Sequence, residues 1–117
     1  MGSEDAEQAA LIEWVAWAKH SIPELELLFA IPNGGKRHIA TAVRLKKTGA
    51  KRGVLDLMLP VSKHGYHGLF LEMKVGENDL TPEQKEFKKG VEEQGYFVIV
   101  AWNWEEGRDA LLWYVNS

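Results

Sequence analysis

The chain has 117 residues, of which 45% are hydrophobic and 26% charged, a composition that indicates one ordinary globular domain over residues 1–117. It has no cysteine, which excludes disulfides and thiolate metal sites and fits a reducing cytoplasm. No apolar run approaches the roughly 20 residues that a membrane helix needs, so we expect no membrane partner.

The charge is distributed unevenly along the chain. The net charge is −3, yet seven of the 14 basic residues lie between positions 36 and 52, with no acid among them. A local excess of positive charge on an acidic chain is typical of proteins that contact a phosphate backbone, although a solvated helix face gives the same pattern. The members of this basic segment are Lys36, Arg37, Arg44, Lys46, Lys47, Lys51 and Arg52.

The first predicted element is a helix capped by Ser3, with acids in its first turn, where the helix dipole favours them. Leu11 and Trp14 lie on its apolar stripe. Glu7 has the helical spacing that places it on the same stripe, so we expect its side chain to point inward. A solvated first turn is the alternative.

Strands and helices alternate along the rest of the chain. Strands are predicted at 27–31, 54–59, 69–75 and 96–102, and helices at 36–47 and from Thr81 and Asn103 onward. The first strand ends at the turn 32–35, and Gly49 is expected to end the helix at 36–47. The short link between the second and third strands predicts an antiparallel hairpin.

Two acids lie inside apolar strands, which is unusual because burying a lone carboxylate costs several kcal/mol. Asp56 lies in the strand at 54–59 and Glu72 in the strand at 69–75, and the hairpin brings the two strands together. Glu72 and Lys74 share one face of their strand. Oxygen ligands of this kind select Mg²⁺ or Mn²⁺, so the pattern predicts a metal-dependent phosphodiesterase. Gln84 could position the attacking water or Lys74, or could only cap its helix.

Five segments taken in order resemble the VRR-NUC domain, a family of the restriction-endonuclease-like PD-(D/E)xK nucleases. They are Asn33-Gly34-Gly35, the helical Ala42…Leu45-Lys46…Gly49, Gly53-Val54-x-Asp56-Leu57, Glu72-Met73-Lys74 and Thr81-Pro82-x-Gln84. The match runs from about Glu7 to Trp102, nearly the whole chain. One departure is Leu55, because the family usually has proline before the aspartate.

The resemblance implies an α/β fold with a central mixed β-sheet flanked by α-helices, and Mg²⁺- or Mn²⁺-dependent cleavage of DNA. It also implies an active site formed by Glu7, Asp56, Glu72, Lys74 and Gln84, in which the main-chain carbonyl of Met73 is a further metal ligand. Small stand-alone domains of this kind resemble bacteriophage and bacterial members that act as homodimers on branched DNA, including Holliday junctions. The expected location is therefore the cytoplasm of a bacterium or of a phage-infected cell.

The expected DNA contacts are the basic segment together with Asn33 and Gly34, whose backbone amides could bind a phosphate. The turn lacks the Lys-Ser/Thr pair of a nucleotide-binding loop, so no nucleotide cofactor is expected. The five tryptophans are more than one small core readily hides, so we expect some of them at a dimer interface, and burial of all five in the core is the alternative. Two alternative functions stay open: a nuclease for flaps, single strands or RNA, and a catalytically silent DNA-binding module.

Overall fold

The computed structural model describes residues 3–32 and 39–116. This part of the chain forms an α/β layer structure of four α-helices, four β-strands and one short 3-10 helix. In chain order these are α1 (Glu4–Ala18), the 3-10 helix (Pro23–Leu27), β1 (Phe29–Ala30), α2 (Ile39–Lys47), β2 (Leu57–Leu59), β3 (Leu69–Met73), α3 (Pro82–Glu93), β4 (Phe97–Ala101) and α4 (Trp104–Val115).

The four strands form one mixed sheet in the order β1-β2-β3-β4. β1 pairs with β2, and β2 pairs with β3, in antiparallel fashion, which confirms the predicted hairpin. β3 and β4 are parallel, and α3 supplies the crossover that a parallel pair requires. The mixed sheet flanked by helices is the predicted restriction-endonuclease-like architecture.

Helices cover both faces of the sheet. On one face the side chains of Leu57, Leu69 and Leu71 pack with α1 and α4 in the larger core cluster. On the other face Phe70 and Val98 pack against the apolar side of α3 in a second cluster. Alternation along β3 therefore divides its residues between two cores, and Glu72 falls on the face shared with Phe70 and α3.

The predicted helix ends have a local chemical basis. Ser3, Thr81 and Asn103 each accept a backbone N–H of the first turn of α1, α3 and α4, respectively. α2 ends in a Schellman motif at Gly49, which has φ of +107°. There the Ala50 N–H donates to the Leu45 carbonyl and the Gly49 N–H to the Lys46 carbonyl.

The structure differs from the sequence predictions at two places, and a third prediction falls outside the described residues. The strand predicted at 27–31 is only two residues long, because Pro23 begins a 3-10 helix that extends to Leu27. The predicted start of the helix at 36–38 lies outside the described residues. Leu55 packs with Phe70 rather than with Leu57, because the chain bends before β2 begins and the expected alternation fails there.

Within residues 3–32 and 39–116, no helix has the length and apolar character needed to cross a membrane.

Candidate active site

The two predicted strand acids come together at the start of β2. Leu57 lies opposite Leu71 in the antiparallel ladder, so one more step of the same register places Asp56 opposite Glu72. The backbone of Asp56 is still held by the sheet, because its carbonyl accepts the N–H of Ile31 at 2.8 Å. The predicted proximity of the two acids follows directly from strand register.

The two carboxylates are fixed by reciprocal bonds to each other's backbone. The Asp56 N–H donates to Glu72 Oε1 at 3.0 Å, and the Met73 N–H donates to Asp56 Oδ2 at 2.8 Å. Each bond uses one oxygen of its carboxylate, Oε1 of Glu72 and Oδ2 of Asp56. The acids are therefore held at a short, defined separation before any substrate arrives, as a preorganised site requires.

Lys74 lies beside this pair, on the same side of the strand as Glu72. Its Nζ is 3.5 Å from Glu72 Oε2, and the side chains of Lys74 and Glu72 are only 8% and 2% exposed. Lys74 is also fixed through its backbone, because its N–H donates to the carbonyl of Ala101 at the end of β4. The single positive charge of Lys74 cannot neutralise the negative charges of both carboxylates when both are ionised.

Gln84 caps its helix as predicted and also contacts Glu72, while its role in positioning water or Lys74 stays a prediction. Its side-chain oxygen accepts the Thr81 N–H at 2.9 Å, while the Thr81 hydroxyl accepts the Gln84 N–H at 3.1 Å, which completes a capping box. Its side-chain nitrogen donates to Glu72 Oε2 at 2.8 Å. The start of α3 is thereby joined directly to the acidic pair.

Burial and mutual repulsion make both acids harder to ionise. Burial is the main cause that raises the pKa of Glu72 from 4.5 to about 7, and the charge of Asp56 raises it further, against the opposing effects of Lys74 and the hydrogen bonds. Burial also raises the pKa of Asp56, and the charge of Glu4 contributes in the same direction. A cation bound between the two carboxylates would offset their mutual repulsion and favour their ionised forms.

The two α1 acids Glu4 and Glu7 have different surroundings, which the sequence did not predict. Glu7 points inward as predicted, but its Oε1 accepts the Trp104 N–H at 2.8 Å and so caps the start of α4. Glu4, one turn earlier, is the α1 acid whose charge raises the pKa of Asp56. The role predicted for Glu7 in metal binding therefore stays a prediction, and the geometry brings Glu4 into consideration.

Glu4 is linked to the end of β4 through the loop between β3 and α3. Asn78, in the loop between β3 and α3, donates its side-chain amide to Glu4 Oε2 at 3.3 Å. The carbonyl of Asn78 in turn accepts the indole N–H of Trp102 at 2.9 Å. The sequence predicts no active-site role for Asn78 or Trp102, because a contact between a loop and the end of a strand has no sequence period.

The fold was compared with those of known proteins. A solved structure described as a VRR_NUC domain protein superposes on 97% of this chain and 88% of its own with a TM-score of 0.79 and 26% sequence identity. The chain has the fold of this VRR_NUC domain protein. No protein-family model matches the sequence, and no curated protein matches it either.

In this chain the strand acids Asp56 and Glu72 could supply oxygen ligands to a divalent cation. Within residues 3–32 and 39–116, no group of three or more acidic or histidine side chains is close enough to hold a metal ion alone. Mg²⁺ is commonly held by one or two carboxylates and several waters, so two carboxylates fit this mode of binding. The main-chain carbonyl of Met73, predicted as a ligand, lies between Glu72 and Lys74 in the chain.

The basic segment is only partly within the described residues. Asn33, Gly34, Lys36 and Arg37 lie outside them. The five remaining members are all exposed, on α2 and on the connection from α2 to β2, namely Arg44, Lys46, Lys47, Lys51 and Arg52. Gly53, at the end of this connection, packs tightly against α3, and a Cβ there would lie 2.6 Å from the backbone of Glu83. The connection therefore passes the exposed positive charges close to the first turn of α3.

The tryptophans divide between core and surface. Trp14 and Trp104 are partly buried and pack against the larger core cluster. Trp17, Trp102 and Trp113 are exposed, to 74%, 39% and 50% respectively. The prediction that the tryptophans exceed what one small core hides is therefore right for three of them.

Proposed function

We propose that this VRR-NUC domain is a divalent-metal-dependent DNA endonuclease that selects branched DNA. The observation that carries the proposal is the fixed pair of carboxylates, Asp56 and Glu72, held by reciprocal hydrogen bonds beside one buried ammonium. A chain without catalysis gains nothing from retaining buried charges that destabilise its fold. This argument favours an enzyme over a silent DNA-binding module.

The proposed cofactor is Mg²⁺ or Mn²⁺, held by Asp56, Glu72 and the main-chain carbonyl of Met73. Both ions prefer hard oxygen donors, and every proposed ligand here is an oxygen donor. When bound, such an ion polarises the scissile phosphate and lowers the pKa of water. One acid of α1, Glu4 or Glu7, completes the set through water.

Lys74 and Gln84 are the proposed partners in the chemistry. The Lys74 Nζ is buried within 3.5 Å of Glu72, so its positive charge acts in a region of low dielectric constant where it stabilises a developing negative charge strongly. It can also orient the attacking water through a hydrogen bond. Gln84 fixes the Glu72 carboxylate in place through its amide nitrogen, which is a positioning role.

The basic segment is proposed to bind the DNA backbone. Its described members are exposed and lead through Gly53 toward the start of α3, where Gln84 contacts the acidic pair. Positive side chains on this path would neutralise phosphates next to the scissile bond. Most of the affinity should then be electrostatic and independent of sequence.

The proposed substrate is a four-way DNA junction cut by a homodimer. A symmetric junction requires two cuts related by a two-fold axis, which two copies of one domain supply. The exposed Trp113 lies beside Phe97 and Ile99 around an apolar cavity of about 300 Å³, a surface that suits a second copy. Aromatic residues are enriched at such interfaces.

The test is a cleavage assay with Mg²⁺ or Mn²⁺ on junction, flap, duplex and single-stranded DNA, and on RNA. We expect junction cleavage by the wild type, its loss on chelation, and its loss in Asp56→Ala and Glu72→Ala with junction binding retained. Cleavage that persists in both variants would overturn the proposal. Binding without cleavage under every condition would favour the silent module. Sedimentation of the wild type gives the oligomeric state.

A further inference from the structure

We infer that Asn78 and Trp102 are positioning residues for the active site, acting through the carboxylate of Glu4. The inference rests on the proposed function, since it concerns the same metal-dependent centre. It is carried by two hydrogen bonds in series: Trp102 Nε1 to the carbonyl of Asn78 at 2.9 Å, and Asn78 Nδ2 to Glu4 Oε2 at 3.3 Å.

The position of Trp102 is fixed by the sheet and by α4. It follows the last residue of β4, Ala101, whose carbonyl accepts the Lys74 N–H at 2.9 Å. Its own backbone N–H donates to Glu106 Oε1 in the first turn of α4 at 2.9 Å. Trp102 therefore has a rigid backbone, next to the strand that carries Glu72.

The loop between β3 and α3 is held at several points by these contacts. Its turn is closed by the Asn78 N–H, which donates to the Val75 carbonyl at 3.1 Å. Asp79 accepts the Leu80 N–H and lies 3.4 Å from Lys85 Nζ. The Trp102 indole adds the contact from the sheet side. A loop fixed in this way can present the Asn78 amide in one orientation.

Glu4 is the residue that this arrangement orients. It lies in the first turn of α1, where helix ends fray most readily, so its carboxylate needs a partner to hold a single position. The Asn78 amide is that partner, and the negative charge of Glu4 acts on Asp56. Ligands of metal sites commonly depend on such supporting hydrogen bonds, and losing them weakens metal binding.

The test compares Mn²⁺ affinity among matched variants by titration calorimetry. Trp102→Phe keeps an aromatic ring but removes the indole donor, and Asn78→Ala removes the amide but keeps the carbonyl that Trp102 contacts. We expect each to weaken Mn²⁺ binding about 3- to 10-fold. Trp17→Phe makes the same chemical change on the exposed surface of α1 and should bind as the wild type does.

The decisive comparison repeats both substitutions in a Glu4→Gln background. If Asn78 and Trp102 act through the Glu4 carboxylate, their effects on affinity disappear there, because the oriented charge has already been removed. In a Glu7→Gln background, the effects should persist in full.

Two results would overturn the inference alone: unchanged affinity in Trp102→Phe and Asn78→Ala, or effects of undiminished size in the Glu4→Gln background. A wild type that binds no Mn²⁺ would overturn the proposed function as well. A variant that loses Mn²⁺ affinity but still binds DNA is folded. That result separates the positioning role from general unfolding.

Discussion

The burial of Glu72 should make the metal-free protein less stable at alkaline than at acidic pH. Its pKa of about 7 in the folded chain exceeds the ordinary 4.5, so the folded state keeps a proton that the unfolded state releases. This contribution is fully present below pH 4.5 and is lost as the pH rises through 7. One pKa unit is worth about 1.4 kcal/mol, so Glu72 alone should lower the free energy of unfolding by about 2–3 kcal/mol between pH 5 and 8.

The perturbation that isolates this effect is Glu72→Gln, which keeps the shape and removes the charge. The free energy of unfolding is measured by urea denaturation with chelator present, at several pH values from 5 to 8. The wild-type curve should fall relative to that of Glu72→Gln by the amount given above. Glu77→Gln removes an exposed acid of the neighbouring loop and should leave the wild-type pH dependence intact.

Parallel curves for the wild type and Glu72→Gln would refute the reasoning, since Glu72 would then ionise in the folded chain as readily as in water. Saturating Mg²⁺ or Mn²⁺ offers a second measure. If the cation neutralises the pair, it should stabilise the wild type most at pH 8, where both acids are charged.

Three further predictions concern chemistry, packing and DNA contact. Lys74→Met should lower single-turnover junction cleavage roughly 100-fold or more while junction affinity is retained, because a charge acting on the transition state is lost; unchanged cleavage would remove Lys74 from the mechanism. Gly53→Ala should cost about 1–3 kcal/mol in urea unfolding, because the new Cβ meets the Glu83 backbone at 2.6 Å, and more than Gly49→Ala, where φ is also positive but space is open; equal costs would contradict this packing. Arg44→Gln should reduce the salt dependence of junction binding by about one unit of slope, and an unchanged slope would place that side chain away from phosphate.

The central part of the site could be predicted because it depends on two simple rules. Strand alternation puts Glu72 and Lys74 on one side, and an antiparallel hairpin brings Asp56 opposite Glu72. The capping signature at Thr81 likewise placed Gln84 at the start of a helix. Each of these inferences needs only local periodicity and one short connection.

The periphery of the site could not be predicted in the same way. Glu4 and Glu7 are three residues apart on one helix, so helical phase alone does not decide which of them raises the pKa of Asp56 and which caps α4. Asn78 lies in a loop, and its contact with Trp102 depends on where two separate strands end. Such contacts follow from tertiary packing, which no sequence period records.

The dual attachment of Gln84 restricts how this protein can be redesigned. Glutamate is the other common residue at the third position of a capping box, and an engineer seeking a stronger helix start would try it first. Here that change would set a third carboxylate against Glu72, whose Oε2 now receives the amide nitrogen of Gln84. A consensus-based stabilisation of α3 would thus disturb the candidate active site, and thermostable variants should be sought at helix starts that do not touch it.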